Sequence, residues 1–220
     1  MGEAIIIYGR SGSGKSRSLI NFNEDELFVV QTIKKRLPFR KEFKYTMVSR
    51  DVNRIIDQLK KMPLKAAVID DAGYILTGDF MDGHRNKSGS SSFDLYNDIA
   101  DHFWKLINAI KELPDDVFVY LMMHEDTNDY GDTKLRTIGK LLNDKVCIEG
   151  MCTIVLRCKV ENETHIFKTQ CDGSDISKSP EGMFDLEIPN DLKAVDDAIR
   201  EYYGLIEKPK KKKEEENVER

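Results

Sequence analysis

Eight residues near the start of the chain, Gly9-Arg10-Ser11-Gly12-Ser13-Gly14-Lys15-Ser16, carry the strongest chemical signal in the sequence. Their types and spacing fit G-x-x-x-x-G-K-[ST] in full, between a strand-like run and a helix-like one, which is the context the motif needs. Glycines let backbone N–H groups curl around phosphate oxygens, and a following helix N-terminus would add the positive end of its dipole. Lys15 then reaches the β- and γ-phosphates. The Ser16 hydroxyl suits Mg²⁺, a hard cation that takes oxygen ligands and keeps several waters. The ligand expected is a nucleoside triphosphate, ATP with Mg²⁺.

A metal at Ser16 needs a carboxylate from elsewhere, and Asp70 is the candidate, because it ends the apolar run Ala66-Ala67-Val68-Ile69 and so falls at the carboxyl edge of a buried strand. Capping a helix is its alternative role. Asp71 could act as general base on the attacking water or merely support Asp70. His124, after the apolar strand Val117 to Met123, stands where one large division of ATPases keeps a polar sensor of the γ-phosphate. A lone histidine is also commonly structural.

Further cations fall in two polar stretches. His84, Arg85 and Lys87 lie in a Ser/Gly-rich segment over residues 82 to 92, and Lys134, Arg136 and Lys140 follow the strand ending at His124. Both groups could meet a phosphate backbone, with solvated surface charge as the alternative. No basic stripe with interleaved aromatics is read from the sequence. Lys168 and Lys178 could reach a neighbouring subunit's nucleotide site as a finger in trans.

The elements that position these groups read as an α/β alternation. Ala4 to Tyr8, Leu27 to Val30, Tyr45 to Val48, Ala66 to Ile69 and Val117 to Met123 are short apolar runs suited to strands buried in a mostly parallel sheet. Helices are expected from Lys15 to Phe22, after Asp51 with Val52, Ile55, Ile56 and Leu59 inward, and over residues 93 to 113. The last of these has Phe93, Tyr96, Ile99, Ala100, Phe103, Trp104, Ile107 and Ile110 on one stripe. A loop is expected after Asp71, a mobile segment at 82 to 92, and a helix over 135 to 145. Cys152 to Val160 and Thr164 to Cys171 form an added β-hairpin, and Asp191 to Tyr203 a closing helix. One domain over residues 1 to 206 is expected, with a charged disordered tail over 207 to 220.

With 220 residues, 40% hydrophobic, 33% charged and a net charge of −5, the composition suits one soluble domain and lacks the global basic field of a dedicated nucleic-acid binder. The first apolar run begins three residues after Met1, leaving no room for a targeting peptide. The expectation is a cytoplasmic protein with no membrane association. Cys147, Cys152, Cys158 and Cys171 form no CxxC pair and read as reduced, small hydrophobic side chains.

Over about residues 3 to 205 the sequence resembles the phage-encoded AAA/RecA-like ATPases that include single-strand-annealing-associated recombinases of the Sak type. The likeness rests on Tyr8 to Ser16, Val68-Ile69-Asp70-Asp71, Met123-His124, Thr137-Ile138-Gly139-Lys140 and Lys178-Ser179-Pro180-Glu181-Gly182-Met183-Phe184. It implies a RecA-like P-loop core and ATP hydrolysis coupled to work on single-stranded DNA. It also implies assembly into rings or filaments, with a phage single-strand binding or annealing protein as partner. One departure is that Gln31 and Thr32 stand where better-studied recombinases use a glutamate as base. Two other readings stay open: a small-molecule kinase acting on nucleosides or nucleotides, and a nucleotide-dependent switch or assembly factor.

Overall fold

The structure, a computed structural model, describes residues 1–84, 91–138 and 146–206. Nine strands form one mixed sheet: β1 (Glu3–Gly9), β2 (Leu27–Gln31), β3 (Tyr45–Val48), β4 (Ala66–Asp70), β5 (Phe118–Thr127), β6 (Thr133–Leu135), β7 (Ile154–Glu161), β8 (Thr164–Lys168) and β9 (Glu187–Pro189). The order is β3-β2-β4-β5-β1-β7-β8-β9, with β6 paired to the end of β5. The six strands from β3 to β7 pair in parallel, and β8, β9 and β6 add antiparallel edges. This is the RecA-like P-loop α/β fold, and the hairpin appears where the sequence puts it.

The apolar runs are continuous because both sheet faces are covered. Along β1, Ala4, Ile6 and Tyr8 enter one core while Ile5 and Ile7 enter the other. Helices α1 (Val52–Lys61), α2 (Gly73–Gly83) and α3 (Ser91–Lys111) cover the first face, and α4 (Leu192–Tyr202) covers the second. Asp51 caps α1 by accepting from the Arg54 amide at 3.1 Å, and Val52, Ile55, Ile56 and Leu59 all point inward. No helix among the described residues is long and apolar enough to cross a membrane.

Several sequence expectations need correction. The helix after the glycine-rich loop is a six-residue 3-10 segment, Ser16–Asn21. There the Ser18 hydroxyl donates to the Lys15 carbonyl at 2.6 Å, a local bond that competes with the α-helical ladder. Its dipole is correspondingly small. The loop expected after Asp71 is α2, whose three glycines argue against a helix while buried Ile75 and Leu76 hold it by packing. Residues 82 and 83 end α2, and 91 and 92 begin α3, where the sequence predicts a mobile segment over 82 to 92; residues 85–90 lie outside the described residues. Trp104 is 48% exposed, and Leu106 takes the inward position on α3 instead.

His124 does not close its strand. β5 runs on to Thr127 and turns back through residues 128–132 into β6, where Asn128 Oδ1 accepts from the amides of Tyr130 and Asp132. The helix expected from 135 therefore begins as strand, and residues 139–145 lie outside the described residues, as do the Phe93 side chain and the tail from 207. β8 ends at Lys168, not Cys171. Cys152 and Cys158 are buried as expected of small hydrophobes, whereas Cys147 and Cys171 are exposed.

A buried polar knot ties α4 to the sheet. Tyr120 Oη on β5 donates to Asp196 Oδ1 at 2.7 Å, and Arg200 Nε donates to Asp196 Oδ2 at 2.6 Å. Arg200 also donates to the carbonyls of Asp116 and Lys65, linking the starts of β5 and β4. Asp196 is only 4% exposed, so removing its cation strands a charge away from water. Arg200→Ala is expected to lower unfolding stability by about 3–5 kcal/mol in urea titration.

Candidate nucleotide phosphate site

The carboxyl ends of three parallel strands lie side by side, with β5 between β1 and β4. Register places Gly9 opposite His124, and β4 ends at Asp70 in the next row. The turn after β1 is shaped by close approach: a Cβ on Gly9 would lie 2.2 Å from the Cys158 carbonyl oxygen. Gly14, at φ +106°, has no room either, since a Cβ there would lie 2.7 Å from His165 Nδ1. These positions demand glycine on steric and conformational grounds.

The added hairpin braces the loop from behind. His165 Nδ1 donates to the Ser13 carbonyl at 2.8 Å, the Cys158 thiol contacts the same oxygen at 3.0 Å, and Asn190 Nδ2 donates to Cys158 Sγ at 3.1 Å. Burial pushes the Cys158 thiol up to about 11, so it serves as a neutral strut. Lys15 is only 6% exposed and donates to the carbonyls of Gly9 at 2.8 Å and Arg10 at 2.9 Å. Its pKa is lowered by that burial. An anion entering the loop would give it a better partner.

Next to Lys15 in the chain, Ser16 Oγ donates to Asp70 Oδ1 at 2.8 Å. Asp70 Oδ2 is buried, accepts no hydrogen bond, and has only the Lys35 ammonium at 3.2 Å. Lys35 Nζ also donates to Asp71 Oδ2 at 2.5 Å, so this lysine holds the place of a cation between two carboxylates. Although burial alone would lower its pKa, the two carboxylates raise it. Asp71 has φ +58°, an unusual backbone for an aspartate, pinned by the Thr32 hydroxyl donating to its carbonyl at 2.8 Å. His124 Nε2 stands 3.4 Å from Asp71 Oδ1. Burial pushes the Asp71 carboxyl up, but His124 and Lys35 outweigh it and hold the pKa at about 2. So paired, Asp71 is a weak proton acceptor.

These groups face one cleft of about 740 Å³, lined by Lys15, Ser16, Lys35, Asp71, His124 and Arg136 among others, a volume that suits a nucleotide. Ser11, Gly12 and Gly14 complete its floor, whereas the Arg10 side chain turns away to Glu125 Oε1 at 3.0 Å. Ser16 and Asp70 offer hard oxygens of the kind Mg²⁺ takes. Among the described residues no group of three or more His, Cys, Asp or Glu is placed to hold a metal ion.

Arg136 lines the nucleotide cleft, where its amide donates to the His124 carbonyl at 2.8 Å beside that strand end. Lys168 is not a projecting finger: it is 9% exposed and bonded to Asp175 at 2.6 Å and to Asp172. Lys178 is half-buried, and its backbone bridges to Val155 beside β7. Lys134 is exposed on β6, while Arg85, Lys87 and Lys140 lie outside the described residues. Lys35, Arg36, Tyr74, Glu125 and His165 line the cleft without having been singled out. For Lys35 and Arg36 the available signal is position, directly after β2 at the sheet's carboxyl edge.

A family model described as an AAA domain matches residues 1–183. The chain belongs to this AAA family. Membership makes it a nucleotide-binding protein of the P-loop ATPase class, as the loop, the Asp70 strand end and the strand order between them agree. No curated protein matches the chain.

The depressed Asp71 pKa gives this AAA domain a pH signature. A carboxyl held at about 2 contributes stability that is full above its unfolded value, near pH 4, and lost as pH falls towards 2; the amount is about 2 kcal/mol. Lys35→Met is expected to raise the Asp71 pKa towards the ordinary range in a carbon-detected NMR titration and to shrink that acid-side loss.

Proposed function

We propose that the chain is a Mg²⁺-dependent ATPase that couples turnover to work on single-stranded DNA. The observation that carries the catalytic part is the Ser16–Asp70 hydrogen bond of 2.8 Å at a cleft that Ser16 and the buried Lys15 both line. The fit of hard oxygen donors and a cation-holding acid pair supports a metal at Ser16 and Asp70. Bound there with the phosphates, Mg²⁺ would neutralise charge that develops as the terminal phosphoryl group departs.

The chain's own residues do the rest by position. Lys15 exchanges two carbonyl partners for phosphate oxygens, and the amides of Ser11 to Ser16 enclose the phosphates. Asp71 and His124, in mutual contact at 3.4 Å, orient the attacking water where no strong base is held. Arg17, Arg36 and Arg136 line the cleft and bring positive charge to the transferring group without a neighbouring subunit. Support for the strand-directed half comes from the resemblance to recombination ATPases, which also implies assembly into rings or filaments with a phage single-strand binding or annealing protein.

Phosphate release, measured with and without a single-stranded oligonucleotide, tests both halves. Lys15→Ala is expected to lower turnover at least about a hundredfold, and Asp70→Asn to weaken the dependence on Mg²⁺. Turnover unchanged by EDTA would contradict the metal reading, and equal turnover with and without strands would contradict the DNA reading.

A further inference from the structure

Residues 34 to 44, Lys-Lys-Arg-Leu-Pro-Phe-Arg-Lys-Glu-Phe-Lys, join β2 to β3 at the sheet's carboxyl edge. Six cations against one anion give this segment +5, so the remainder of a chain with net charge −5 carries −10. Such a local reversal of sign is the electrostatic footprint of an anionic partner.

The segment is held in place. Its start is fixed by Lys35 on Asp70 and Asp71 and by Gln31 Nε2 donating to the Lys35 carbonyl at 3.0 Å. Its middle is fixed by Phe39 and Phe43, packed edge to face with centroids 6.5 Å apart against the second core. Lys41 donates to the Phe22 carbonyl at 2.7 Å and to that of Ile20, and the Lys44 amide donates to the Glu24 carbonyl at 2.8 Å. What remains free is charge. Lys34, Arg36 and Arg40 are exposed and make no ion pair with any described residue.

Lys34, Lys35, Arg36, Arg40 and Lys41 line one open cleft of about 1530 Å³ between this segment and the edge strand β3. Lys35 and Arg36 also line the nucleotide cleft, so the two meet at these residues. Protein partners are anchored by aromatic and aliphatic side chains in pockets. Here Phe43 is buried and Phe39 half-buried, and although both line the groove, five cations line it against Glu24 and Glu42, a balance of charge that suits a phosphate backbone.

We propose that the β2–β3 segment is the nucleic-acid backbone site of this ATPase, gripping phosphates without reading bases. The inference rests on the strand-directed half of the proposed function and assigns it to a surface other than β6. Gripped through its phosphates, a strand binds without regard to base sequence and steeply in salt. Lys35 ties the groove to the acid pair, so a strand in the groove and a nucleotide in the cleft act on one side chain.

The test is fluorescence anisotropy of a labelled thirty-nucleotide oligo(dT) against salt, using wild type, Lys34→Ser/Arg40→Ser and Lys134→Ser. Melting temperature and ATP binding of each variant check that it is folded. The double variant is expected to bind at least about tenfold more weakly at low salt and to reduce the slope of log affinity against log salt by about 0.7 per lost cation. Lys134→Ser is expected to match wild type. Wild type that binds while the double variant binds equally well overturns this site and leaves the DNA reading standing. Wild type that does not bind at low salt overturns both. Polyglutamate held as tightly as oligo(dT) at equal charge overturns the nucleic-acid assignment in favour of an acidic protein.

Discussion

The hydrogen-bond ladder across β4, β5 and β1 sets the place of every group in the nucleotide cleft. Because these strands run parallel, their carboxyl ends fall on one edge, with Gly9 opposite His124 and Asp70 one strand beyond. A slip by one residue would turn each strand's side chains to the opposite face. It would exchange Ile6 and Tyr8 for Ile5 and Ile7 in cores already filled to exclusion of water. Packing on two faces therefore fixes the register, and the register fixes the chemistry.

Charge compensation is the second constraint. Buried ions are tolerated when each finds an opposite charge or several dipoles. Lys15 rests on two carbonyls, Asp70 and Asp71 share Lys35, and Glu125 sits between Arg10 at 3.0 Å and Arg157 at 2.9 Å. Two of these arrangements are exchanged in the proposed function: a triphosphate would offer Lys15 oxygens in place of carbonyls, and a divalent cation would offer Asp70 a partner in place of Lys35.

Most of this was legible in the sequence where a local pattern carries it. Buried parallel strands read as apolar runs and Asp51 reads as a cap; the hairpin, expected to turn over Glu161-Asn162-Glu163, turns at Asn162 and Glu163 with φ of 45° and 63°, the signature of a two-residue connection. The misses have physical causes. Helix α2 depends on burying Ile75 and Leu76, a tertiary gain invisible beside its glycines. Lys35 meets Asp71 across 36 residues of chain, and His165 meets Ser13 across 152; no spacing rule reaches so far. The basic segment at 34 to 44 could have been seen, since its cations are clustered, but only the fold shows its phenylalanines packed against the second core and its cations lining an open groove.

The most direct test of the central claim, that Gly9 to Ser16 grip a triphosphate whose metal is shared by Ser16 and Asp70, is calorimetric titration of ATP into the folded chain with Mg²⁺ and again with EDTA. The account predicts saturable uptake of ATP that weakens sharply when the metal is removed. Absence of uptake by folded protein, or uptake indifferent to the metal, would contradict it.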